Sequence, residues 1–203
     1  DLISLPPLHR PFKSLKDVLI LGYGAGAVGR QISELVMPER VVGVELDPIH
    51  LSIACGFFGC SKDCNLIADD AVEWVYESIE KASYDVIIDD LYAEEGGIAM
   101  RCVPMDVKWC EALAKLLKPR GMLIFNIIEP EKIKNLPIFR SPKLKKRFTE
   151  RVMYRIDGYE NSITAFSYTP FDLNCLGAHL KRIKKKYPSC RRVEERYVKS
   201  RNF

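Results

Sequence analysis

Acids recur at regular intervals behind a glycine-rich turn, and they are the residues of this chain best placed to do chemistry. Gly22, Gly24 and Gly26 follow the apolar run Val18-Leu19-Ile20-Leu21, and Glu45 closes the next such run 23 residues after Gly22 (45 − 22). Asp69 and Asp70 end the short run Asn65-Leu66-Ile67-Ala68, and Asp89 and Asp90 end Tyr84-Asp85-Val86-Ile87-Ile88. Glycines in such a turn take positive φ and lack a Cβ, so a ligand can lie directly on the main chain. The free N–H groups of the helix that follows then face that ligand. An acid at the carboxyl end of the second strand is placed to accept hydrogen bonds from both hydroxyls of a ribose. The chemistry implied is the holding of a nucleotide-like cofactor. The candidate cofactor-binding residues are Gly22, Tyr23, Gly24 and Gly26 in the turn, Glu45 at the ribose with Leu46 after it, and Asp69 and Asp70 beyond them. For Asp69 and Asp70 the capping of the next helix is an equally simple role.

The elements that must position these residues alternate strictly. Four consecutive apolar residues before Gly22 read as a strand buried on both faces. Val28, Ile32, Leu35 and Val36 then fall at helical spacing. Asp47-Pro48 supplies a helix N-cap and an N1 proline, so Glu45 and Asp47 have different jobs. Leu51, Ala54 and Cys55 continue that helix toward Gly56 or Gly59, and Val72, Val75, Tyr76 and Ile79 mark the next. Residues 91–104, with Glu94-Glu95-Gly96-Gly97, read as a loop. Cys110, Leu113, Leu116 and Leu117 make an amphipathic helix, broken by Lys118-Pro119-Arg120-Gly121 before the strand 122–128. The β-α rhythm predicts a doubly wound parallel sheet.

Beyond that strand the rhythm changes. Lys143, Lys145, Lys146 and Arg147 fall in a basic helix, and alternation on either side of Tyr159-Glu160-Asn161 predicts an antiparallel hairpin. A last helix runs from Asp172 to about Tyr187, with Leu180 and Ile183 turned to the core. The expected fold is α/β: a mostly parallel, Rossmann-like seven-stranded sheet whose last strand is antiparallel. Residues 1–16 form a lead-in arm, 17–170 the cofactor-binding domain, and 171–203 a basic helix and tail packed on the same domain.

Composition bounds the rest. At 203 residues the chain suits one α/β domain. Its net charge of +4 conceals a contrast: residues 171–203 hold ten Lys/Arg against three Asp/Glu, leaving 21 against 24 in the remainder. Seven scattered cysteines fit reduced thiols in an intracellular, cytoplasmic protein better than a disulfide framework. Cys60 and Cys64 have no second Cys/His pair at zinc-finger spacing, so no metal is assigned. No run approaches the length of a membrane-spanning helix, so no membrane partner is expected.

Gly24-Ala25-Gly26-Ala27-Val28-Gly29 also satisfies a dinucleotide pattern, but one β-α run of five strands followed by a hairpin is the class I methyltransferase order. The blocks Val44-Glu45-Leu46-Asp47-Pro48, Phe57-Phe58-Gly59, Ile67-Ala68-Asp69 and Tyr84-Asp85-Val86-Ile87-Ile88-Asp89-Asp90 sharpen this. From Val18 to about Tyr168 the chain resembles the spermidine synthase-like branch of the class I S-adenosylmethionine-dependent methyltransferases. That branch includes spermidine synthases and the C-terminal domain of the methyltransferase that modifies translation elongation factor 1-alpha. The resemblance implies S-adenosylmethionine as cofactor, with Glu45 at the ribose, Asp69 at the adenine amino group and the glycine loop at the methionine end.

Two departures separate the chain from spermidine synthases. Ala25 stands where they carry an aspartate, and Asp90 is followed by Leu91-Tyr92-Ala93 in place of their Ser-Ser-Asp. A polyamine needs several acids around its ammonium groups, and two of those positions are lost. The reading is methyl transfer to an amine, first on a protein and then on a small molecule. Asp90 is the candidate proton acceptor and Tyr92 the residue that orients the incoming group. Polyamine aminopropyl transfer is the alternative, and a catalytically inactive cofactor-binding or scaffolding module the second. The basic C-terminal arm offers nucleic acid as a partner, although a solvated helix face explains it more simply.

Overall fold

The computed structural model describes residues 2–60, 64–128, 133, 136–156, 158 and 161–188. Seven strands form one sheet: β1 (Asp17–Leu21), β2 (Arg40–Glu45), β3 (Asn65–Ala68), β4 (Tyr84–Asp89), β7 (Leu117–Ile128), β8 (Glu150–Arg155) and β9 (Asn161–Ser167). Their spatial order is β3-β2-β1-β4-β7-β9-β8. β1 pairs in parallel with β2 and β4, β2 with β3, and β4 with β7. β9, the last strand in the chain, enters antiparallel between β7 and β8. Among the described residues, five α-helices lie between strands, α1 (Ala27–Leu35), α2 (Pro48–Gly56), α3 (Ala71–Glu77), α4 (Val107–Leu116) and α5 (Pro142–Arg147), and α6 (Leu173–Lys186) follows the last strand.

The pleat explains the two layers. On β1, Leu19 and Leu21 face one core with Trp109, Leu113 and Leu116 of α4, while Val18 and Ile20 face the other with Ile32 of α1 and Leu180 of α6. Both strand faces are therefore apolar, as a covered parallel sheet requires. Leu180 is buried and Ile183 packs beside it, as the spacing predicts. Along the rest of α6, Arg182 donates to the Leu35 carbonyl and lies 3.9 Å over the Phe12 ring, and Lys186 pairs with Glu34.

The lead-in arm is firmly packed. Ile3, Leu5 and Leu8 are buried in the α1/α6 core. His9 Nδ1 lies 3.0 Å from the Asp172 carbonyl, which can only accept. Nδ1 therefore carries the proton, and Nε2 accepts from the Tyr154 hydroxyl. Arg10, also buried, donates to the Thr169 and Pro170 carbonyls and to Ser167 Oγ.

Two segments differ from expectation. Residues 91–104 contain a hairpin, β5 (Tyr92–Glu95) and β6 (Ile98–Arg101), outside the main sheet. Gly96 and Gly97 both have positive φ (61° and 83°), as the tight turn of such a hairpin requires. Lys118-Pro119-Arg120-Gly121 lies inside β7 as an irregularity: Tyr84 pairs with Leu117 but Val86 with Met122. In the expected β8–β9 turn, Tyr159 and Glu160 lie outside the described residues, as do Cys190 and the arm from 189 onward. None of the six described cysteines is in a disulfide.

Candidate active site

The carboxyl ends of β1, β2, β3 and β4 open onto a cleft of about 390 Å³, one wall of which is β5 with Leu91, Cys102 and Val103 at the base of the hairpin. Gly22 (φ 78°) forms its floor. A Cβ there would collide with the Asp90 carbonyl, so the crossing of the two chains depends on glycine. Glu45 reaches back from β2 and fixes the loop: Oε2 accepts from Gly24 N at 2.7 Å, and Oε1 from Asp47 N at 3.0 Å. His50 Nδ1 approaches the same Oε1 at 3.3 Å. Each carboxylate oxygen has further lone pairs for a ligand hydroxyl.

Of the residues expected to hold the cofactor, Gly22, Glu45, Leu46 and Asp70 line this cleft. Asp70 is also the N-cap of α3, accepting from Val72 N and Glu73 N. Asp69 is exposed beside it and accepts from Asp70 N. Gly24 meets the cleft through its bond to Glu45, whereas Gly26 faces α2, where an added Cβ would strike Cys60 Sγ. The Tyr23 side chain turns away altogether. It is buried over Gly29 and Gly43, its hydroxyl donates to Cys64 Sγ, and burial pushes its pKa up. Sequence spacing locates the Tyr23 main chain but not the direction of its ring.

The cleft's polar walls are Glu45, Asp47, Asp70 and Glu94, with His50 beside them; among the described residues no lysine or arginine lines it. Val44, Ala71, Val72, Leu91 and Val103 supply an apolar surface. Such a cleft suits a nucleoside with a flat base, a ribose diol and a cationic tail. It offers no counter-charge to a pyrophosphate.

A second cavity of about 390 Å³ lies on the far side of Tyr92, which lines both. Asp90, Asn126 and Asn161 line this cavity too. Asp90 Oδ1 accepts from Asn126 Nδ2 at 2.9 Å, and Asn126 Oδ1 accepts from Asn161 Nδ2 at 3.0 Å. Burial pushes the Asp90 carboxyl above the usual range, against the Asn126 bond; Asp89 adds to the rise and Arg101 opposes it. The Tyr92 hydroxyl is committed to β7, donating to the Asn126 carbonyl at 2.8 Å and accepting from Ile128 N at 3.2 Å. Its ring is thereby held as a partition.

Asp89 faces the opposite side of β4 from the second cavity, with no exposure. Its Oδ2 accepts from Arg101 Nη2 at 2.6 Å and Trp109 Nε1 at 2.8 Å. Burial works against the Arg101 charge, but Asp89 outweighs it and holds the guanidinium above its ordinary value. This pair bolts the hairpin to the sheet. The reading of residues 91–104 as a loop missed Glu94 and Arg101. Their signal was Gly96-Gly97 between two four-residue runs. Asn126 was signalled as the one amide in the apolar run 122–128.

Strand order and cleft together define a doubly wound, Rossmann-like protein of the class I methyltransferase type. Residues 3–157 match the family model described as spermine/spermidine synthase domain, and the chain belongs to that family. It is 25% identical over 164 residues to an eEF1A lysine and N-terminal methyltransferase homolog of Drosophila pseudoobscura pseudoobscura, covering 77% of this chain and 24% of the relative. It is 29% identical over 102 residues to a polyamine aminopropyltransferase of Thermoplasma volcanium, covering 47% of this chain and 36% of that one. The chain thus spans about a quarter of the first relative's length and about a third of the second's. In fold it is similar to human methyltransferase-like protein 13, solved in complex with SAH, with TM-score 0.64, 20% identity and coverage of 91% and 87%. Among the described residues, no helix is long and apolar enough to cross a membrane, and no group of three His, Cys, Asp or Glu could hold a metal.

Proposed function

We propose that this protein transfers a methyl group from S-adenosylmethionine to an amine, most directly a lysine or N-terminal amine of a protein. The observation that carries this reading is the charge of the cleft: four carboxylates and no described lysine or arginine. A sulfonium-bearing nucleoside matches that charge, and a pyrophosphate does not. Glu45 and Leu46 hold the ribose end, and Asp70, with Asp69 at its rim, takes the base. The main chain of Gly22, Tyr23 and Gly24 supports the amino-acid end, and Gly26 turns the loop into α1. When bound, the cofactor supplies an electrophilic methyl group, and the protein aligns it and excludes water.

The second cavity is the proposed acceptor site. An amine arrives as an ammonium and must lose a proton before it can attack. Asp90 lines the cavity and takes that proton, while the fixed ring of Tyr92 orients the nitrogen and separates it from the base pocket. The relatives that act on eEF1A support a protein amine. The family itself supports aminopropyl transfer as the second reading. Against that, Asp90 is the sole carboxylate among the described residues of the second cavity, whereas a polyamine carries several ammonium groups.

The test is incubation with S-adenosylmethionine and a panel of translation-factor proteins and small amines, followed by mass spectrometry. Methylated lysine or N-terminal amine is the expected product. Spermidine formed from putrescine and the decarboxylated cofactor at about 1 per second or faster, a rate ordinary for enzymes, would reverse the order of the two readings.

A further inference from the structure

Asn126 and Asn161 are diagonal neighbours on one face of the β7–β9 ladder, since Asn126 pairs with Ile163 and Ile128 with Asn161. The amide orientations follow from Asp90. An ionised carboxylate only accepts, so the Asn126 amide must present Nδ2 to it. Oδ1 then points at Asn161, whose Nδ2 must be the donor. We infer that Asn161 and Asn126 are positioning residues for Asp90, forming a one-way carboxamide relay that keeps this carboxylate ionised and fixed at the second cavity. The inference rests on the reading of Asp90 as the group that takes the amine's proton.

The relay has work to do because its surroundings oppose the charge. Asp90 is half-buried, and Asp89 is the next residue in the chain. The Arg101 charge favours the ionised form, but its Nη2 is spent on Asp89 and it acts on Asp90 only through space. The Tyr92 hydroxyl is spent on β7. Among the described residues, Asn126 is therefore the direct side-chain donor to Asp90. Beside an ionised Asp90, Asn126 presents Nδ2 and turns Oδ1 away, and Asn161 Nδ2 satisfies that oxygen. With Asn161 removed, Asn126 Oδ1 loses this donor, and the orientation that serves the ionised carboxylate loses one of its two hydrogen bonds. Asn161 thus supports the ionisation of a carboxylate it does not touch. The consequence for catalysis is a base already ionised at neutral pH when the ammonium arrives, despite an environment that favours the neutral acid.

The test is carbon-13 NMR of the Asp90 carboxyl during a pH titration of the unliganded protein, with wild type and Asn161→Ala compared. The relay predicts that the Asp90 midpoint rises by about one pH unit in Asn161→Ala and that the acid limb of the methyl-transfer rate moves with it. An unchanged midpoint would overturn the inference. A wild-type measurement covers the case in which the variant does not fold. The side-chain amide signals of Asn126 and Asn161 must titrate with the Asp90 midpoint, and amides indifferent to it would also overturn the relay. None of the NMR readouts depends on turnover. A shifted midpoint in a protein that transfers no methyl group would refute the proposed function and leave the relay standing.

Discussion

At the amino end of the central sheet, acids are closed off by cations; at the carboxyl end, acids of the same kind are held by neutral donors. Asp17 opens β1 and meets Arg40 Nε at 2.9 Å and Lys118 Nζ at 2.6 Å. Asp85 meets the same Lys118 at 2.9 Å and accepts from the main-chain N–H groups of Lys16 and Asp17. Burial works against the Lys118 charge, yet its two acids hold it above its ordinary value. Across the sheet, Glu45 is held by Gly24 and Asp47 N–H, Asp70 by Val72 and Glu73 N–H, and Asp90 by Asn126. No lysine or arginine among the described residues pairs with these three. Neutral donors fix a carboxylate without cancelling its charge, so the charge remains for a ligand. Among the described residues, the arginine–carboxylate pair at this end, Asp89–Arg101, lies beneath the site and joins the hairpin to the sheet.

The comparison breaks first at that buried pair. Arg101→Ala leaves Asp89 with no exposure and only Trp109 Nε1 as a described partner. The expected cost is about 3–5 kcal/mol, the range for half of a buried pair, read by chemical denaturation. A loss no larger than that from cutting a surface pair would show that Arg101 does not anchor the hairpin.

A second effect, away from both ends, tests whether the arm is part of the folded unit. His9 is held neutral in the fold, its pKa lowered to about 4 by burial, with the Asp172 carbonyl partly offsetting this and Arg10 reinforcing it. The unfolded chain, with an ordinary histidine near 6.5, takes up the proton first. Stability is therefore complete above about pH 6.5 and falls as pH drops toward 4, by at most about 3 kcal/mol from this group. His179, also lowered by burial, contributes with the same sign. Thermal melts from pH 7 to 4.5 should show a smaller loss in His9→Gln. Equal acid sensitivity in both proteins would contradict the role assigned to His9.

Lys118→Ala is the smallest effect. Its side chain is about one-third exposed, so removing both its ion pairs should cost about 0–1 kcal/mol. Ligand affinity at the far end should not change. A change there would mean that the two ends are coupled and the contrast between them is false.

Much of this arrangement can be read in the sequence, because periodicity is local. The runs at Val18–Leu21 and Tyr84–Asp89, the glycines and the acids after them place β1, β4 and the cleft without any tertiary information. Three features could not be read from periodicity. Tyr23 sits in the glycine loop, yet its ring packs over Gly29 and Gly43, because side-chain direction depends on partners distant in sequence. The hairpin was hidden because Glu94 and Glu95 interrupt alternation in strands of only four residues. The Asn126–Asn161 contact requires the β7–β9 register, which no local pattern supplies.

The central claim is that the acids at the carboxyl end, Glu45 foremost, hold a cationic nucleoside. Isothermal titration calorimetry of S-adenosylmethionine, with NAD as the anionic comparison, tests it most directly. The account predicts binding of S-adenosylmethionine, none of NAD, and a loss of about 1.5–3 kcal/mol in Glu45→Ala, the range for hydrogen bonds to a charged group. Wild-type affinity in Glu45→Ala, or NAD bound more tightly than S-adenosylmethionine, would contradict it.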